Sequence, residues 1–214
     1  MAVVRKISTR LAIEGEQEYK EKIKSVNSEL KTMDSELKLV ESQFKGQMNT
    51  MEALTAKGTA LQSVYDKQSQ KVGELTSALD NAKNAQAAYA QRSEDARTRI
   101  AAVDAEMDNL RNSAGDTAEA QQRLTTELDQ LNKELQESQS YEAAAARGVN
   151  DWQVQLNNAK AKLNGLDSEI QKNRQYLTEA EKSTDKCATS IDKYGKATAT
   201  ADENTSLLTK AFAA

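Results

Sequence analysis

The sequence predicts an all-α protein of long coiled-coil helices, either continuous or folded into helical hairpins, with a short extended N-terminal arm. Three observations predict it. Apolar residues recur at alternating steps of three and four in one unbroken frame from Ile23 to Phe212, which is a heptad repeat. The 214 residues include no Pro, so no helix interior is forced to break. The abundant residues (Ala, Glu, Lys, Gln, Leu) are strong helix formers, while aromatic residues make up only 4%.

With Ile23 at a and Val26 at d, the candidate coiled-coil core opens with Ile23, Val26, Leu30, Met33, Leu37, Val40 and Phe44. It continues through Leu54, Leu61, Tyr65, Val72, Leu75 and Leu79 to Ile100, Val103, Met107 and Leu110. The later part is Leu124, Leu128, Leu131, Leu135, Trp152, Leu156, Leu163, Leu166, Ile170, Leu177 and Ile191. Polar residues or Gly hold some a and d positions, among them Gln47, Gly58, Gln68, Ser93, Ser138, Asn173 and Thr184. A buried polar layer lowers stability and specifies register.

Taken in order, residues 1–15 alternate loosely and carry Arg5, Lys6 and Arg10, which suggests an extended basic arm ending at Gly15. Helix one spans 16–46, its acidic start (Glu16, Glu18) suiting the positive end of a helix dipole. Gly46 is a stop signal, and Asn49 with Glu52 three residues on is a capping pattern. Helix two spans 49–111; Gly58 and Gly73 weaken it without ending it, and its stretch from Ala85 to Ala102 is Ala-rich, a thin core or a soft place. Gly115 then offers a left-handed stop, and Asp116 with Glu119 caps helix three, spanning 116–147. Gly148 and Asn150-Asp151 repeat the signal before helix four, at 150–182. Residues 183–214, rich in Thr, Ser, Lys and Asp, form a weaker helical or frayed segment, and the closing LLTKAFAA stops in mid-pattern, as the edge of a larger protein would.

Each break preserves the heptad frame, so two arrangements fit. A continuous helix over 23–212 would run roughly 280 Å. A parallel self-pair would make Arg99–Asp104, Glu106–Arg111, Lys162–Asp167 and Glu169–Arg174 attractive between chains, and Glu29–Asp34 and Glu36–Glu41 repulsive. A hairpin at 46–49 would instead bring Glu36 near Lys57, Leu37 near Leu61, and Lys22 near Lys71.

The chemistry of an enzyme is missing. The chain has no His and one Cys, which removes the commonest general base and any zinc cluster; catalytic, cofactor and metal residues are therefore none. The glycines are isolated, so no phosphate loop forms. A net charge of −4 gives no general attraction to nucleic acid, and no stretch approaches the length of a membrane span. Cys187, at a d position, reads as a small buried hydrophobe.

Two stretches carry a resemblance. ISTRLAIEGEQEYKEKIKSVNSELKTMDSELKLVESQFKG (Ile7–Gly46), followed by NTMEALTAKGTAL (Asn49–Leu61), is one; DWQVQLNNAKAKLNGLDSEIQKN (Asp151–Asn173) is the other. Together they resemble the N-terminal region of tail tape measure proteins from long-tailed phages and prophages of Gram-positive bacteria. The resemblance implies a structural protein and no catalytic residues. It implies a self-associating coiled coil, a trimer or hexamer, in the lumen of the virion's tail, where its length sets how many tube rings assemble. It implies the tail tube protein, tail assembly chaperones and tail tip proteins as partners, the host cytoplasm as the place of assembly, and exit ahead of the genome on ejection. The residues alone fit a second class equally well: a cytoplasmic coiled-coil scaffold or adaptor with protein partners only. Neither reading involves a membrane or a cofactor.

Overall fold

A computed structural model describes residues 2–112 and 117–212, with side chains over 16–112 and 117–196. The chain folds as three long helices, and no strand occurs among the described residues. Helix α1 runs Ala2–Gln43, α2 runs Met51–Arg111 and α3 runs Ala118–Phe212.

The extended arm over 1–15 is not found: α1 is already helical at Ala2 and passes through Gly15. Val3, Ile7 and Leu11 are spaced by four, which suits one face of a helix as well as it suits loose alternation, and no Pro stands nearby to break the helix. Glu16 and Glu18 therefore lie inside a helix, where they pair with Lys20 (2.7 Å) and Lys22 (2.8 Å) four residues on. The side chains of Arg5, Lys6 and Arg10 lie outside the described residues.

The turn expected at 46–49 is present. Gly46 adopts φ +87°, the left-handed conformation that ends helices and that glycine takes without a Cβ penalty. The cap of α2 is one residue later than Asn49. The Thr50 hydroxyl accepts from the Ala53 N–H at 3.3 Å, and the Thr50 carbonyl accepts from the Leu54 N–H at 3.0 Å. Helix α2 closes with Asn112, whose N–H and side-chain amide both donate to the Asp108 carbonyl. Gly115 and Asp116 lie outside the described residues. The carbonyl of Thr117 takes the first bond of α3, from the Gln121 N–H at 2.9 Å.

The third predicted break is absent. Helices three and four are one helix, with Gly148 in its interior. A mid-helix glycine costs about 1 kcal/mol against alanine. Burial on either side offsets it: Trp152 sits in the central core cluster with Val149 against it. The expected boundary at 182–183 is absent too, since α3 continues to Phe212.

The helices contribute to two compact units, one made of Met1–Ser28 with Gln68–Lys162, the other of Glu29–Lys67 with Leu163–Ala214. In the first, Ile23 of α1 meets Leu75, Ala78 and Leu79 of α2 and Trp152, Leu156 and Ala159 of α3. A second cluster there is drawn from α2 and α3 alone: Val103, Leu124 and Leu131, with Ile100, Met107, Leu110 and Leu128 against them. In the second unit, α1 and α2 run antiparallel from the Gly46 turn, with Lys57 paired to Glu41 at 2.7 Å and Lys67 to Glu29.

Candidate functional site

The feature that organises this chain is the heptad stripe. It is buried by the chain's own helices. Ile23, Val26, Leu30, Leu54, Leu61, Leu75, Leu79, Val103, Leu124, Leu131, Trp152, Leu156 and Ile170 are buried. Met33, Leu37, Val40, Phe44, Tyr65, Val72, Ile100, Met107, Leu110, Leu128, Leu135, Leu163, Leu166 and Leu177 are half-buried. Among described positions from Ile23 to Ala180, Gln47 in the turn is the one exposed member of the stripe.

The frame fails further on. Ile191, expected in the core, is 71% exposed, and Tyr194 is 77% exposed. Cys187, read as a buried hydrophobe, is exposed as well. The cause lies in the second unit. Asn173 of α3 stands beside Leu54, three residues from the start of α2 at Met51. Antiparallel to α2, the next turn of α3 passes the end of its neighbour, and residues 181–196 are exposed throughout.

Polar layers interrupt the stripe in defined ways. In the first unit, the buried Gln68 amide donates to the Ala159 carbonyl of α3 at 2.8 Å. In the second, the buried Asn173 amide donates to the Leu54 carbonyl of α2 at 2.8 Å. Each side chain reaches a backbone oxygen of the facing helix, a contact that one register satisfies and a slipped register leaves open. Gly58 makes room for the second contact: a Cβ there would stand 2.9 Å from the Asn173 amide nitrogen. Ser93 is different. Its hydroxyl is the one buried side-chain polar atom without a hydrogen-bond partner among the described residues.

Flanking charges pair between helices of the one chain. Antiparallel packing sets g positions of α2 against g positions of α3. Arg99 accordingly meets Glu127 (3.5 Å) and Glu134 (3.8 Å) of its own chain, where the parallel arrangement would give it Asp104 of another. Lys57 pairs with Glu41, five residues from the expected Glu36. Burial, helped by the Lys162 ammonium of α3, holds Lys71 below its usual value.

Val64 and Ala78 belong to the core although neither is an a or d residue. Both are g positions of α2. A helix that packs against two others needs a wider apolar face than a two-stranded seam, and the apolar residues at g were the available signal.

No family model, curated protein or solved structure matches this chain. Among the described residues no group of three His, Cys, Asp or Glu could hold a metal ion, and no helix is long and apolar enough to cross a membrane. The arrangement holds helices together in fixed register. It offers hydrogen bonds, ion pairs and apolar surface.

Proposed function

We propose that this chain is a structural segment of a phage tail tape measure protein, acting in the tail lumen as part of a homo-oligomer that templates the tube. The observation that carries this reading is the resemblance of Ile7–Gly46, Asn49–Leu61 and Asp151–Asn173 to the N-terminal region of such proteins. The reading is supported by where those stretches lie. They supply most of α1, the start of α2 and part of α3, and with them the Gly46 turn, both partners of the Asn173–Leu54 contact, and Ile23, Trp152, Leu156 and Ala159 of the core cluster. Its partners would be further copies of the chain, the tail tube protein, the assembly chaperones and the tail tip. A helix converts residue number into length at a fixed rate, which suits a ruler.

The folding of α2 against α3 adds a condition to the ruler. Removing one heptad from α3 alone would shift every facing contact, whereas removing one heptad from each helix at matched positions keeps Gln68 on Ala159. The test is tail length by electron microscopy after in-frame heptad deletions. Tails shortened by roughly 1.5 Å per deleted residue support the ruler in extended form. Matched double deletions that shorten tails by half that rate support a ruler that stays folded. Unchanged tails refute the reading.

One observation favours the scaffold or adaptor reading: the described stripe positions from 23 to 180, Gln47 apart, are buried or half-buried within one chain, so self-association is not needed to cover them. A genome neighbourhood without tail genes would decide for that alternative.

A further inference from the structure

Small side chains on facing faces of α2 and α3 leave a cavity of about 130 Å³ in the first unit. Alanines at Ala82 and Ala145 face it, where larger residues would fill it, and Tyr19, Tyr89, Tyr141 and Trp152 bound it. We propose that this cavity is a binding site for a small, uncharged aromatic molecule that carries one hydrogen-bond acceptor.

Size, polarity and charge each narrow the ligand. The volume is close to that of an engineered apolar cavity of roughly 150 Å³ that takes up benzene, so one ring fits. Tyr89 and Tyr141 stack on each other, with ring centroids 5.3 Å apart and planes inclined by 29°, and offer an aromatic wall that a flat guest extends. Trp152 is 5% exposed as a residue, and its indole N–H, which bonds to no described residue, is within reach of solvent. A guest's ring nitrogen or carbonyl would take the place of water on that donor. The cations near these rings are already placed. Lys22 lies 5.7 Å from the Tyr19 ring centroid and Arg92 lies 5.8 Å from that of Tyr89. Glu16, at the edge of the cavity, is held by Lys20 at 2.7 Å. These contacts leave little reward for a cationic guest. The proposal does not depend on the ruler reading, and either can fail without the other.

Trp152 is the only tryptophan of the chain, so its emission reports the site directly. The full chain would be titrated at pH 8 with 4-methylpyridine, neutral at that pH, and in parallel with toluene, which lacks the acceptor. The expected result is a saturable change in Trp152 emission with 4-methylpyridine in the millimolar range. Ala82→Leu should abolish it while the helical circular dichroism and melting temperature stay at or above those of the parent. Ala145→Val serves as the second filling variant should leucine at 82 perturb the fold. Ligand-induced thermal shift with Trp152→Phe should then be several-fold weaker for 4-methylpyridine and unchanged for toluene. A linear, non-saturating response overturns the proposal, as does equal binding by a folded filling variant. Equal loss of both probes in Trp152→Phe overturns the acceptor part of it.

Discussion

Gly58 and Asn173 are a pair whose value is visible only when both are considered. Glycine inside a helix ordinarily costs about 1 kcal/mol against alanine, so Gly58→Ala should stabilise by that amount if space were free. Here the added methyl would stand 2.9 Å from the Asn173 amide nitrogen, which is itself bonded to the Leu54 carbonyl. We therefore expect Gly58→Ala to destabilise by about 1–3 kcal/mol, the usual range for overpacking. In an Asn173→Ala background the same change should become stabilising. Urea denaturation of the four chains measures the coupling; additive effects would remove the argument. Lys71 makes a second residue-level prediction. Its folded-state value is lowered by burial and by Lys162, so between that value and 10.5 the unfolded chain binds more protons than the folded one. Stability should then rise with pH across this window, and Lys71→Met should flatten the rise in urea midpoints. The polar identities at Gln68 and Asn173 were legible in the sequence as stripe positions. Their partners were not, because a hydrogen bond to the backbone of a distant helix leaves no periodic signal.

At the scale of the element, the heptad frame located the packed faces of all three helices, and it did so because apolar periodicity is what burial requires. It could not say where a helix loses its neighbour. Leu75 and Ile191 both hold stripe positions, yet Leu75 is 0% exposed and Ile191 is 71% exposed. Leu75→Ala should cost about 2–5 kcal/mol by leaving a cavity in the core. Ile191→Ala should change stability by less than about 0.5 kcal/mol, as surface substitutions do. Equal effects, measured by thermal or chemical denaturation, would contradict the assignment of the two sites. The stop signals were read with mixed success for a physical reason. Gly46 ends α1 because the chain there turns through positive φ, with the Thr50 cap following. Gly148 carries the same residue type but is flanked by Val149 and Trp152, whose burial keeps α3 whole. A capping motif is a local preference, and tertiary packing outweighed it at one of the two sites. The N-terminal arm was misread because spacings of four satisfy both a helix and a loosely alternating strand.

For the whole molecule, the sequence left two arrangements open: helices running on to meet other chains, and helices folding back on themselves. The choice matters for function, since a folded segment and an extended one would convert residues into tail length at different rates. The ion pairs between successive helices decide it within each unit, Glu41 with Lys57 in one and Arg99 with Glu134 in the other. The central claim is that the stripe is buried by its own chain, and cross-linking tests it most directly. In a Cys187→Ser background, Arg99→Cys with Glu134→Cys, and separately Glu41→Cys with Lys57→Cys, would be treated with a short bis-maleimide at high dilution. In a continuous helix the first pair would be roughly 50 Å apart, beyond reach of the reagent. The account predicts efficient cross-linking within single chains for both pairs, seen as one chain plus one linker by mass spectrometry. Cross-links found only between chains, or none, would contradict it.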